Sequence, residues 1–154
     1  MVAGYCYDWN VKNNKGDVDI ILENDFTAKW NLSNDKIWAI NPKSFDQVGC
    51  IHTAQGLEFD YVGVIIGQDL RYDPETDRII TDKTKISKDD NSSGIRSAEP
   101  SLAETLIKNT YKTLLTRGQK GCYIYCEDKA LAARIKAYIQ AMQVAKKPTA
   151  ESEG

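Results

Sequence analysis

Apolar positions recur at helical spacing along one stretch of the chain. Ala103, Leu106, Ile107, Thr110, Tyr111, Leu114 and Leu115 share a face. Ser101 and Glu104 ahead of them read as a capping box, and Gly118 or Gly121 as the stop. A second helix is expected after Asp128 as its cap, with Leu131, Ile135, Tyr138 and Met142 turned inward. The other strong pattern is a continuous apolar run from Val62 to Ile66, broken only by Gly63, which predicts a strand buried on both faces.

Shorter extended segments are predicted over 2–6, 18–22, 49–52 and 122–126. Phe26, Ala28 and Trp30 alternate with polar residues, the pattern of a half-buried strand. Residues 44–48 fit helix and strand equally. Two extended runs around Pro74 to Asp77 predict a β-hairpin within 69–81. Residues 8–17 read as a loop, and the polar stretch 83–100 as a mobile surface loop that buries little. Strands and helices alternate after residue 45. The expected fold is therefore α/β, a mostly parallel sheet with flanking helices, an inserted β-hairpin and a loop. One domain over 1–145 and a disordered tail over 146–154 complete the expected organisation.

Composition changes this picture little. The 154 residues are 42% hydrophobic and 27% charged, as in an ordinary globular domain. No apolar run approaches the roughly 20 residues that span a bilayer and no signal peptide opens the chain, so no membrane role and a cytoplasmic location are expected. A net charge of −2 argues against a strongly basic nucleic-acid module but leaves room for a local basic strip. The cysteines, Cys6, Cys50, Cys122 and Cys126, include no Cys-x-x-Cys pair. On a strand, Cys122 and Cys126 would stand about 13 Å apart, too far to share a metal ion, so free thiols and no metal site are expected. Trp9, Trp30 and Trp38 could be core anchors or base-stacking platforms.

Candidate chemistry concentrates in two places. The first, His52-Thr-Ala-Gln-Gly-Leu-Glu58, stands at the mouth of the buried run and is too polar for a core. Gly56 permits close backbone approach, and Glu58 offers a carboxylate. The second is Arg117, in line with the apolar stripe of its helix. Its guanidinium either helps to satisfy the helix C-terminus or points into a polar site. His52 is the sole histidine, and no nucleophile with an assigned acidic partner accompanies it.

Together these stretches resemble motifs V and VI of superfamily 1 helicases. His52, Thr53, Gln55, Gly56, Glu58 and Phe59 match the first; Leu115, Thr116, Arg117 and Gly118 match the second. Text such as Ala3-Gly-Tyr-Cys6 and Ile65-Ile-Gly-Gln-Asp-Leu70 also resembles a bacterial family of Schlafen-like P-loop ATPases known as domain of unknown function 2075.

The resemblance implies the second, C-terminal RecA-like domain of a nucleic-acid-dependent ATPase. It implies that Arg117 approaches the γ-phosphate of ATP, that Glu58 meets the ribose, and that Gly56 allows the approach. It further implies that His52, Thr53 and Gln55 face DNA or RNA; Gln55 stands where many relatives carry Lys. The chain has no Gly-x-x-x-x-Gly-Lys-Ser/Thr loop and no Mg²⁺-binding acidic pair after a strand. ATP with Mg²⁺ is therefore expected only with a P-loop domain upstream, and no ATPase activity is expected of this chain alone. A non-catalytic interaction domain on the same half-fold is the alternative.

Overall fold

The computed structural model describes residues 1–32, 38–91 and 93–145. The expected tail over 146–154 lies outside the described residues. Among the described residues eight strands and two α-helices run in the order β1 (Val2–Ala3), β2 (Ile20–Ile21), β3 (Thr27–Trp30), β4 (Gln47–Val48), β5 (Phe59–Ile66), β6 (Leu70–Asp73), β7 (Arg78–Thr81), α1 (Pro100–Leu115), β8 (Gly118–Cys126) and α2 (Lys129–Ala145). Strands β1, β5 and β8 form a parallel sheet with β5 in the centre, Val64 pairing with both Val2 and Ile124. Strands β3 and β4 are also parallel, with β2 antiparallel at the edge. A single parallel bridge, Val2 to Gly49, joins the two sheets; the Ala3 N–H donates to Gly49 O at 2.9 Å. The mostly parallel α/β architecture is as expected, and the hairpin β6–β7 is inserted after β5.

Helix α1 is the crossover that parallel β5 and β8 require. Ala103, Ile107, Thr110, Tyr111 and Leu114 are buried along it, which is most of the expected stripe. Tyr111 locks it to the sheet: its ring fills the space that a Cβ on Gly4 would need. Its hydroxyl accepts from the Gly67 N–H at 3.0 Å and donates to Asp69 Oδ1 at 2.5 Å. The helix starts differently from expectation. Glu99 is the N-cap residue without a capping side-chain bond, and Pro100 takes the first turn. Ser101 thus falls inside the helix, and Glu104 pairs with Lys108 instead of closing a capping box. The helix ends at Leu115, before either glycine. Gly118 and Gly121 instead serve a register shift where β8 meets Phe59 and Tyr61, and a Cβ on Gly118 would collide with the Gly121 carbonyl.

Three further expectations are corrected. The segment 49–52 is not a strand: Gly49 makes only the bridge, and residues 51–56 form turns. Tyr138 and Met142 of α2 do not face inward but are 63% and 45% exposed, since only Leu131 is fully covered. The segment 83–100 is not a loop that buries little. Ile86, Ser87, Asp90 and Ile95 are buried, the Ser87 N–H donates to Tyr5 O at 2.7 Å, and Arg96 Nη1 donates to Ile86 O at 2.6 Å. Amide exchange at Ile86 and Ser87 should accordingly be slow, like that of the sheet. Exchange there at the rate of an unstructured chain would contradict this packing.

Asp69 makes a second prediction. Burial raises its pKa above the usual carboxylate value of 3.8, against the lowering effect of the Tyr111 and Cys6 hydrogen bonds. The folded chain therefore holds this proton more tightly than the unfolded chain. The stability so contributed is full below the unfolded pKa and is lost as pH rises through the folded one. Asp69→Asn keeps an acceptor for Tyr111 and removes this slope. Melting curves should show the variant gaining on the parent as pH rises from about 4 to 7; parallel curves would contradict it.

Candidate functional site

Because the sheet is largely parallel, its two ends are chemically distinct. At the C-terminal ends of β1, β3 and β4 the chain opens a cleft of about 940 Å³. Its lining combines Tyr5, Trp9 and Asn31 with Cys50, His52, Thr53 and Gln55, and with Lys12 and Lys88 on its rim. The structure thus brings together the three residues for which nucleic-acid contact is expected. His52 and Gln55 are exposed, and the imidazole lies 6.1 Å from the Tyr5 ring. Thr53 is differently employed. Its hydroxyl accepts from the Cys50 N–H at 2.7 Å and donates towards Asn31 Oδ1 at 3.0 Å and Cys50 O at 3.1 Å. That hydroxyl therefore shapes the turn 50–56, with its one proton already engaged. Asn31, just past β3, has a positive φ of 40°.

Gly56 ends the turn with φ at +74°, a conformation that explains the glycine, and nothing lies within 4 Å of where a Cβ would stand. Three residues on, β5 begins at Phe59 beside the start of β8 at Gly118, and Leu57 still lines the cleft. Glu58 and Arg117 meet there. The Phe59 N–H donates to Arg117 O at 2.9 Å, and Gln119 Nε2 donates to Glu58 Oε2 at 2.6 Å. The Glu58 carboxylate is exposed. Arg117 is half-buried just beyond α1, and its Nε donates to Thr113 O at 3.2 Å. That bond satisfies a terminal carbonyl of the helix, as one of the two readings of Arg117 expects. It leaves the two Nη groups without a partner among the described residues.

The structure thus places the site residues in two neighbouring groups, His52, Thr53 and Gln55 lining the cleft and Glu58 and Arg117 beside the paired starts of β5 and β8, with Gly56 on the short connection. Sequence reasoning missed Tyr5, Lys12, Asn31 and Lys88 as cleft residues. They come from three distant segments, and no local spacing signals their meeting. Of the three tryptophans, Trp30 and Trp38 are core anchors at 0% and 5% exposure; only Trp9 reaches the cleft.

Neither end offers a cluster of three or more metal-ligating side chains among the described residues. The cysteines are free, and burial pushes the Cys6 and Cys126 thiols up, the latter to about 11, so neither is a thiolate at neutral pH. No described helix is long and apolar enough to cross a membrane.

The uncharacterized protein YPL245W of Saccharomyces cerevisiae is 28% identical over 138 residues, covering 84% of this chain and 30% of that protein. The chain therefore spans under a third of the length of that curated relative. No solved structure matches. The family model described as Schlafen group 3, DNA/RNA helicase domain, matches residues 1–128, which include both motif stretches. The chain belongs to the Schlafen group 3 DNA/RNA helicase domain family.

Proposed function

We propose that this chain is the second, C-terminal RecA-like half of a nucleic-acid-dependent ATPase, close to the bacterial 2075 family in its motif text. Its nucleotide-facing end carries Glu58 and Arg117, approached across Gly56. Its nucleic-acid-facing end carries His52, Thr53 and Gln55. The observation that supports this reading above all is that Glu58 and Arg117, far apart in sequence, are brought together where β5 and β8 begin, while His52, Thr53 and Gln55 line the neighbouring cleft. A motor that couples ATP hydrolysis to movement on a strand needs two separate sites joined by one rigid body.

The residues present fit part of a nucleotide. The exposed Glu58 carboxylate suits ribose hydroxyls, and the unpartnered Nη groups of Arg117 suit phosphate oxygens. No group of three or more metal-ligating side chains stands among the described residues, and the sequence has no Gly-x-x-x-x-Gly-Lys-Ser/Thr loop to cradle the β- and γ-phosphates. Those contacts are assigned to a P-loop domain upstream in a longer protein. Bound Mg²⁺–ATP would supply the transferable phosphoryl group; Arg117 would stabilise the charge that develops on it.

The test is nucleotide affinity in a protein carrying both domains. Glu58→Gln should weaken ATP binding several-fold, leave the cleft's oligonucleotide affinity unchanged, and leave the melting temperature within about 2 °C. Loss of oligonucleotide affinity instead would mean that the ends are misassigned.

A further inference from the structure

Trp9 stands apart from the other tryptophans. It is half-buried, lines the cleft and is held from several sides. Its N–H donates to Asp89 Oδ2 at 3.1 Å, its Nε1 reaches Asn31 O at 3.4 Å, and Asn13 N donates to its carbonyl at 3.0 Å. Behind it lies the buried Trp30, 6.4 Å between ring centroids at an interplanar angle of 35°. Lys12 Nζ sits 5.7 Å from the Trp9 centroid. A ring fixed this firmly and lining a cleft can accept a planar ligand once the exposed Lys12 ammonium over it swings aside, without the ring itself first being ordered.

The surroundings define that ligand. Lys12 and Lys88 stand on the rim and are exposed, against one lining carboxylate, Asp89, already engaged by the Trp9 N–H and by Asn13 Nδ2 at 3.1 Å. The cleft is therefore locally cationic on a chain of net charge −2. Tyr5 Oη is buried at the cleft, beside the Cys50 thiol. Burial, with Cys50 and Asp90 nearby, pushes the phenol pKa up, so it stays a neutral donor. Stacking surface and rim ammonium groups are together what a strand with exposed bases requires.

We propose that Trp9 is a base-stacking platform for single-stranded nucleic acid, with Lys12 and Lys88 holding the phosphates on either side of the stacked base. This deepens the nucleic-acid half of the proposed function and rests on it. Duplex is excluded as the ligand because its bases are already stacked on each other.

Titrating this chain with oligo(dT) and oligo(U), while following tryptophan emission, tests it. Stacking should quench the unmutated chain, since only Trp9 among the tryptophans reaches the cleft. Trp9→Phe should abolish the quench while retaining most of the affinity. Trp9→Ala should bind about 5- to 100-fold more weakly, and Lys12→Ala and Lys88→Ala should each lower the salt slope by roughly one. Tyr123→Ala, exposed at 72% and outside the cleft, is the control and should change nothing. Should Trp9→Ala fail to fold, the Trp9→Phe emission decides the matter. A quench that persists in Trp9→Phe, or tight binding that ignores Trp9→Ala, would overturn the platform and leave the cleft assignment standing. No binding of either oligonucleotide by the folded chain would overturn both. The two oligonucleotides distinguish DNA from RNA.

Discussion

Arg117→Ala, in a protein where this domain follows its P-loop partner, should lower the single-turnover rate of ATP hydrolysis at saturating ATP on the order of 10³-fold. Nucleotide affinity should fall far less, because a contact made chiefly in the transition state contributes to rate more than to ground-state binding. Arg117→Lys should recover only part of the rate. An ammonium cannot both donate to Thr113 O through an Nε and present two further nitrogens in a planar fork. The helix-end bond sets the necessary control. Losing it should destabilise the domain by about 1 kcal/mol, so the variant's melting temperature must be measured beside its rate. Lys112, exposed on α1, should tolerate alanine. A folded Arg117→Ala protein that hydrolyses at the unmutated rate would leave Arg117 as a helix cap and favour the non-catalytic alternative.

Trp30→Ala should be among the most destabilising single substitutions. The side chain is fully buried, and the rings of Tyr5, Tyr7 and Trp9 all lie against it at 5.8 to 6.4 Å between centroids. Its backbone N–H donates to Asp19 Oδ2 at 2.7 Å, which ties β3 to the residue just before β2. Truncating a buried aromatic of this size costs about 3–5 kcal/mol, because the cavity cannot collapse fully. That is a large fraction of the 5–15 kcal/mol typical of a domain, and the melting temperature should fall by about 10 °C or more. The cleft should suffer with it, since Tyr5 and Trp9 would lose their common backing. A fall of only a few degrees would mean that the β3 layer contributes little to the cooperative core.

Both predictions depend on how much the sequence exposes. Helix α1 and the second half of β5 are legible because burial on a single period, 3.6 for Ala103 to Leu114 and a solid run for Val62 to Ile66, leaves a local trace. Strand β1 falls within the strand expected over 2–6, but β4 has two residues, too few for any period, and lies in the segment 44–48 that fits helix and strand alike. The segment after β7 misleads for a different reason. Its polar residues satisfy one another or the backbone: the Ser93 hydroxyl bonds Asp90, the Ser87 hydroxyl bonds Asp8, and Lys83 Nζ donates to Ala98 O at 2.6 Å. Among its described residues Ile86 and Ile95 are the buried hydrophobics, with Ala98 packed against the core, so composition alone reads as solvent-facing.

The site divides in the same way. Glu58 and Arg117 are legible as motif residues, but their meeting at one end of the sheet depends on the parallel pairing of β5 and β8. The cleft needed Tyr5, Asn31 and Lys88 to arrive from separate segments. Thr53 shows the limit of motif reading most plainly, since its hydroxyl proton is engaged within the turn.

The central claim, that this domain supplies one side of an ATP site and a second domain supplies the other, has a direct measurement. ATP turnover by the purified 154-residue chain should be compared with turnover by a protein that also carries the upstream P-loop domain, with and without oligonucleotide. The account predicts no turnover by this chain above the uncatalysed background, and turnover by the two-domain protein that needs Arg117. Turnover by this chain alone, lost on mutating a residue within it, would contradict the account.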